Sequence, residues 1–540
     1  MRRAVMLVLL FSALLVDATG QQSIYKFWVQ LKDKEGGPYS LDKPGQFLSQ
    51  RAIDRRLRYQ IPIEENDLPV SRVYLDILQQ QDLNILYTSK WMNAVAIETT
   101  DSNMADLLSS FPFVTGVDLF YWRPWYKSGA DKFRESFSDV SLPSDHQVVM
   151  LKGQKLHEQG FRGEDMVIAV IDAGFDKTDS MAGFHSLWQN GQILGYRNFV
   201  DPTASFFWSS NGDHGTRVLS TMGGYLPGEF EGGAVKAGYW LIQTEDTHSE
   251  FRIEEANWLA GAELADSAGA DVINSSLGYA DRFTDSSQNY QYSDMDGRST
   301  LVTRAASLAA SKGMLVITSA GNAGWTEDVW GYIVAPSDGD SVLGVGAVDA
   351  DGERAYFSSR GPSSDGRVKP DVAAQGQATV LIRPNGMVGT GSGTSFSSPV
   401  MAGLATCLWQ KHRDVTNYEI IEAIRRTASQ YHSPDTLLGY GIPDLELADL
   451  LLSSTKTAAL RVHVFPNPAT QVIHLWFRED EEEGNVYEII DVTGRMVQQG
   501  RIFPSSQHQA EVNVERLTPG TYIILVHTGN SRMKGIFIKQ

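Results

Sequence analysis

From Val148 onward, short apolar runs alternate with segments of helical spacing, and few folds accept that rhythm. Residues 166–171, 239–243, 271–274, 314–318 and 342–348 have the length and apolar content of buried strands. Residues 254–268 and 300–312 lie between them with a helical pattern. Buried strands and helices that take turns predict an α/β domain, a doubly wound parallel sheet covered on both faces. In such sheets the chemistry gathers at the C-terminal strand ends. Asp172 directly follows one of these strands, and Ser319-Ala320-Gly321-Asn322 directly follows another.

A second stretch narrows the reading. Gly391-Ser392-Gly393-Thr394-Ser395-Phe396-Ser397-Ser398-Pro399-Val400 runs into the apolar segment 401–409. A small-residue loop thus ends at one hydroxyl, Ser395, with a buried helix starting behind it. Free N–H groups and partial positive charge at that helix start suit an oxyanion. Pro399 is expected in the first turn, where its missing N–H costs little. A serine hydroxyl is a poor nucleophile without an oriented base. His214, in the Gly-bounded turn Gly212-Asp213-His214-Gly215-Thr216, can be that base, and Asp172 its orienter. Acid, histidine and serine in that chain order is one of the known triad orders. His146, His157, His185 and His248 lack such contexts and read as surface residues.

These local contexts carry a family resemblance. Asp172-Ala173-Gly174, His214-Gly215-Thr216 and Gly393-Thr394-Ser395 resemble the three triad motifs of subtilisin-like serine peptidases. Ser319-Ala320-Gly321-Asn322 and Asn274-Ser275-Ser276-Leu277-Gly278 resemble two further family segments, as do Phe357-Ser358-Ser359-Arg360-Gly361 and Lys369-Pro370-Asp371-Val372. The match spans residues 148–448. It implies Ser395 as nucleophile, His214 as general base and acid, Asp172 as orienter, and Asn322 as an oxyanion donor. It also implies that Ser276, Leu277, Gly278, Ala320 and Gly321 form the walls against which an extended protein or peptide substrate is held. The chain departs from the pattern at Ala173, where the family has a hydroxyl residue, and at Arg217, where it often has a second histidine. Phe396 and Ser397 replace the common Met-Ala after the nucleophile. None removes a reacting group.

No cofactor is required for this chemistry. The resemblance implies structural calcium in many members, and Asp294-Met295-Asp296-Gly297 has alternate carboxylates near a glycine. That segment does not match a complete calcium loop.

The flanks differ in character. Arg2 and Arg3 precede the apolar run 5–16, and small residues lead up to Gln21, which predicts a signal peptide over 1–20 and an exported chain. No other stretch is long enough to span a bilayer, so no integral membrane segment is expected in the mature chain. Residues 21–126 read as a small α+β unit, with an arginine-rich helix over 49–57, and resemble a subtilisin propeptide, a chaperone and inhibitor, a permanent accessory domain being the other reading. Residues 127–145 are rich in Ser, Asp and Pro and read as an exposed linker where processing falls. The peptidase domain is expected over 146–454 and an all-β sandwich over 455–540. Phe465-Pro466-Asn467-Pro468-Ala469, Asp491-Val492-Thr493-Gly494-Arg495 and Leu517-Thr518-Pro519-Gly520-Thr521-Tyr522 resemble the type IX secretion sorting domain of Bacteroidetes. That implies the type IX secretion machinery as a partner and a destination outside the outer membrane of a Gram-negative cell. A carbohydrate or adhesion module is the other reading of this sandwich.

Charge and cysteine content set further bounds, the latter against the usual pattern of exported chains. The net charge of −19 argues against nucleic acid or an anionic membrane as partner. The single cysteine, Cys407, permits no intrachain disulfide and is expected as an inert buried thiol. The sequence thus predicts a secreted serine endopeptidase made as a zymogen. A catalytically silent binding protein on the same fold is the alternative, and an esterase or peptide ligase would share the acyl-enzyme.

Overall fold

The computed structural model describes residues 23–81, 83–122, 132–133, 135–138, 143–208, 212–324, 330–458, 460–476, 485–491, 495–502, 509–528 and 531–540. The signal segment 1–20, the acidic run 479–483 and parts of the 127–145 linker lie outside them. The chain divides into two compact units, Met1–Ala448 and Asp449–Gln540.

The first unit begins with a four-stranded sheet built from β1 (Tyr25–Leu31), β2 (Asn84–Ser89), β3 (Ala94–Thr99) and β4 (Val114–Trp122), in the order β2-β3-β1-β4. Neighbouring strands are antiparallel, with Trp28 opposite Ala96 and Asp118. The strand period of two gives this sheet two apolar faces. Phe27, Val29, Leu31, Val95 and Ile97 face its own small core. Trp28, Ala94, Ala96 and Phe120, joined by Trp91, face the larger body of the unit.

That body is a seven-stranded parallel sheet. Its strands are β5 (Val167–Asp172), β6 (Ile193–Asn198), β7 (Gly238–Gln243), β8 (Val272–Ser275), β9 (Leu315–Ser319), β10 (Leu343–Val348) and β11 (Val372–Gln375). They run β11-β10-β9-β8-β5-β7-β6, all neighbours parallel. The five strands legible from the sequence are the middle of this sheet. Both edges were missed, for different reasons. β6 contains Gly195 and only one fully buried residue, Asn198, and β11 has only four residues. Every residue of β5, β8, β9 and β10 is buried, as a sheet covered on both faces requires.

Helices α1 (Ile253–Ala268) and α2 (Leu301–Ser311) cover one face, and the N-terminal sheet lies on them. The buried cluster that the helices share with Trp28, Trp91 and Phe120 is rich in alanine (Ala262, Ala265, Ala305, Ala306, Ala309), which favours close packing. A buried charge cluster fixes the docking. Asp266 of α1 takes Arg55, Arg56 and Lys90, and Arg56 also reaches Asp67 at 2.8 Å. Glu263 accepts from Ser89 Oγ at 2.6 Å and from the N–H groups of Lys90 and Trp91 at 2.9 and 3.0 Å. The arginine-rich helix seen in the sequence, Gln50–Tyr59, is therefore a docking element.

The second unit holds a five-stranded and a three-stranded sheet. Ile473, Leu475, Val512, Ile489, Ile524 and Phe537, drawn from both sheets, share one buried core, the pattern of a sandwich. Among the described residues no helix is long and apolar enough to cross a membrane.

Candidate active site

Three elements bring the sequence-selected residues together. Asp172 is the last residue of β5 and fully buried. His214 is the first residue of α3 (His214–Gly223), and its Nδ1 lies 2.6 Å from Asp172 Oδ1. Gly215 makes that approach feasible, because a Cβ there would meet Gly174 O at 2.6 Å and Asp172 Cβ at 3.0 Å. The Ala173 N–H donates to Asp172 Oδ1 at 2.7 Å, whereas Oδ2 has no hydrogen-bond partner among the described residues. The missing hydroxyl at position 173 fits that gap.

Ser395 is the second residue of α4 (Thr394–Lys411) and 3% exposed. Since the helix begins at Thr394, Pro399 stands one turn deeper than the sequence suggested. Without an N–H at Pro399 the Ser395 carbonyl has no donor from that position, and Ser276 Oγ donates to it at 2.8 Å instead. Cys407, on the same helix, is buried, and burial pushes its thiol well up.

Asn322 is oriented by Thr394. Its Oδ1 accepts from both the N–H and the Oγ1 of Thr394 at 2.8 Å, which turns its amide N–H toward the site. Gly321, at φ +109, has no room for a Cβ beside Ser359 Oγ at 2.8 Å. Ser276, Leu277, Gly278, Gly321, Asn322 and Ser395 all line a cavity of about 330 Å³. Ala320 is fully buried and not part of that lining.

The site is filled by the chain's own linker, which the composition had marked as exposed. Asn322 Nδ2 donates to Phe133 O at 2.9 Å, and the Phe133 ring stacks on His214 with centroids 3.9 Å apart. Glu135 Oε1 lies 2.9 Å from His214 Nε2, a charge contact off the line of a hydrogen bond. Ser395 helps to keep this carboxylate charged, and Arg217 holds its other oxygen at 2.6 Å. Ser136–Ser138 then pairs as a strand with Val388–Ser392, Phe137 opposite Gly391. Arg217, a departure from the family pattern, thus grips the linker through Glu135 and covers the Phe137 ring at 4.8 Å. Burial alone pushes His214 down, but Asp172 and Glu135 outweigh it and raise the imidazole to about 10. Burial likewise pushes Glu135 up, and His214, Arg217 and Ser395 more than reverse that.

Comparison with known proteins decides the family. The subtilase family model matches residues 163–441, more than half of the chain. The chain belongs to the subtilase family. A model for the peptidase S8 propeptide domain of Bacteroidota matches residues 26–134, and one for a secretion system C-terminal sorting domain matches 463–540. Subtilisin E of Bacillus subtilis (strain 168) is 26% identical over 382 residues, covering 69% of this chain and 85% of that protein. Subtilisin of Bacillus pumilus is 28% identical over 310 residues, 56% of this chain and 97% of its own length. The serine protease AprX of Bacillus subtilis is 25% identical over 386 residues, 66% and 78% of the two chains. The protein is a subtilisin-like serine endopeptidase with a propeptide and a secretion sorting tail, and the silent-binder reading finds no support. The sorting tail indicates secretion by the type IX system.

The residues Asp294 and Asp296 do not fit a calcium cradle. Asp294 Oδ2 accepts from Gln291 N at 2.7 Å, and Asp296 accepts from Arg298 N and Ser299 N at 3.0 and 2.8 Å. Both carboxylates are engaged in capping their own turns. His146 and His157 are half-buried rather than surface residues, bonded to Gln375 and to the Gly233 carbonyl. Beyond the motifs, the sequence reading missed Phe133, Glu135 and the glutamates of the same cavity.

Proposed function

We propose that Asp172, His214 and Ser395 carry peptide-bond hydrolysis, with Asn322 as oxyanion donor. Ser395 Oγ attacks the scissile carbonyl while His214 takes its proton and then passes it to the leaving amine. Asp172, 2.6 Å from His214 Nδ1, holds the ring tautomer and stabilises the imidazolium. Asn322, locked by Thr394, meets the charge that develops on the carbonyl oxygen. Ser276, Leu277, Gly278 and Gly321 build the walls of the cleft, while Ala320 is buried outside that lining. One observation carries this reading: the linker leads a main-chain carbonyl to Asn322 and a carboxylate to His214. A segment lying there behaves as a substrate-like inhibitor.

In this reading residues 1–20 direct export and 21–126 form the propeptide. Processing falls within 127–145, 146–454 is the working peptidase, and 455–540 addresses the chain to the outer-membrane surface or beyond. The test is paired production of the wild-type chain and Ser395→Ala, followed by intact mass with a protein substrate present. The wild type is expected to trim itself within 127–145 and digest substrate, and the variant to do neither. Trimming at an equal rate in a pure Ser395→Ala preparation would refute the nucleophile assignment.

A further inference from the structure

Lys132 lies one residue before Phe133, whose carbonyl meets Asn322, and its side chain enters the cavity that Ser395 also lines. Its ammonium stands 2.6 Å from Glu245 Oε2, 3.0 Å from Glu250 Oε2 and 2.9 Å from Glu254 Oε1. The carbonyls of Asp246 and Ser249 complete the shell at 3.3 and 3.2 Å. This cradle is built by the body of the enzyme, not by the linker. Glu254 is 1% exposed and held by the N–H groups of Asp246 and Phe251 at 2.7 and 3.1 Å. Glu245, also 1% exposed, accepts from the Tyr279 hydroxyl. Glu250 Oε1 is buried with no hydrogen-bond partner among the described residues.

Three carboxylates fixed this closely repel one another unless a cation sits among them. The linker supplies one while it is in place. Once it leaves, the cavity needs another, and it opens beside Ser276, Leu277 and Ser395, where a substrate chain must lie. We infer that Glu245, Glu250 and Glu254 form a subsite for a lysine or arginine side chain of the substrate, on the N-terminal side of the scissile bond. The inference rests on the reading of Asn322 and Ser395 given above. A long side chain bearing an ammonium or guanidinium reaches the carboxylates with its stem against the cavity wall. A neutral side chain of equal length leaves them unpaired. Losing a charged hydrogen-bonding partner of this kind lowers kcat/KM about tenfold to hundredfold.

Two measurements test it. The first compares peptides carrying lysine or norleucine at each of the four positions before the cut, using enzyme matured from the full chain. The wild type is expected to prefer lysine by about tenfold or more at one position, and Glu245→Gln/Glu250→Gln to bring that ratio close to one. A preference that survives the double variant overturns the inference. The second needs no catalysis. In the full chain carrying Lys132→Ala and Ser395→Ala, n-butylammonium is expected to raise the melting midpoint saturably and n-butanol to leave it unmoved. One carboxylate oxygen from each of the three glutamates lies within 4.8 Å of the others, so a divalent ion is the competing occupant. A midpoint raised by millimolar calcium but not by n-butylammonium makes the cluster a metal site and refutes the subsite. A wild type that cuts no peptide refutes the Ser395 assignment instead, and the midpoint then decides the pocket alone.

Discussion

Replacing Glu135 by glutamine keeps the shape of the linker but removes a negative charge 2.9 Å from His214 Nε2. The consequence follows from the proton. His214 is 2% exposed, and its imidazole stands at about 10 against an ordinary 6.5, because Asp172 and Glu135 outweigh the burial that pushes it down. That displacement is worth about 5 kcal/mol, and it leaves about one imidazole in a thousand neutral at pH 7. A protonated ring cannot take the Ser395 proton, so the linked chain is latent electrostatically as well as by obstruction. A neighbouring opposite charge shifts a pKa by about one to three units, so Glu135→Gln is expected to return His214 toward 8. The neutral fraction at pH 7 then rises about a hundredfold, and self-processing with it.

The assay is release of the N-terminal segment from purified full-length chain, followed by intact mass between pH 6 and 10. Wild-type rates are expected to climb about tenfold per pH unit toward 10, and variant rates to level off about two units lower. Glu135→Gln also loosens the contact with Arg217, which speeds release by a factor independent of pH. The two effects separate on the plot, one moving the curve sideways and the other upward. Identical profiles, or a purely vertical displacement, would refute the electrostatic account. The same linkage fixes a stability trend in the uncleavable Ser395→Ala chain. Folded His214 keeps its proton up to about 10, while the unfolded ring loses it near 6.5. The stabilisation is therefore complete below 6.5 and lost as pH rises from there through 10. The melting midpoint should decline across that window more steeply than in Ser395→Ala/Glu135→Gln.

Three further substitutions probe the remaining parts. Asn322→Ala is expected to lower kcat about 10²–10³-fold with little change in KM, a magnitude carried over from subtilisin; a change confined to KM would mean that Asn322 only binds substrate. Asp172→Asn, which leaves the ring without its charged partner, is expected to cost about 10⁴ in kcat with the fold intact by circular dichroism. Asp266→Ala strips the shared carboxylate from Arg55, Arg56 and Lys90 and is expected to weaken the folded full-length chain by about 3–5 kcal/mol in urea. A loss below 1 kcal/mol would show that the apolar contact of Trp28, Trp91 and Phe120 fixes the docking without this cluster.

The proposed reacting groups were readable because each needs a local signature that only a few residues can supply. Asp172 ends a fully buried strand, His214 needs Gly215 to stand so close to it, and Ser395 begins a helix behind a small-residue loop. The glutamates of the cation cradle lacked any such signature. Glu254 and Glu255 open α1, where acids are ordinary companions of the helix dipole. One signal was available for Glu245. It lies two positions after Gln243, the last residue of β7, at the same end of the sheet as Asp172, and the strand-end rule that selected Asp172 points to it as well.

The linker marks the limit of composition as a guide. Its Ser, Asp and Pro content reads as solvent-exposed chain, and that reading assumes the segment must satisfy its own backbone. Here the enzyme does so: Asn322 binds the Phe133 carbonyl, and Val388–Ser392 supplies a strand edge to Ser136–Ser138. Two of its described charged side chains are matched in the same way, Lys132 by three glutamates and Glu135 by His214 and Arg217. A segment that borrows such partners from another part of the fold has no internal periodicity to read. What it displays instead is complementarity to a site, and that becomes visible only when the site has been built. Lys132 and Glu135 are thus informative about the enzyme because their sequence surroundings are not: each reports a charge that the cleft accepts, one meeting its subsite and the other its base.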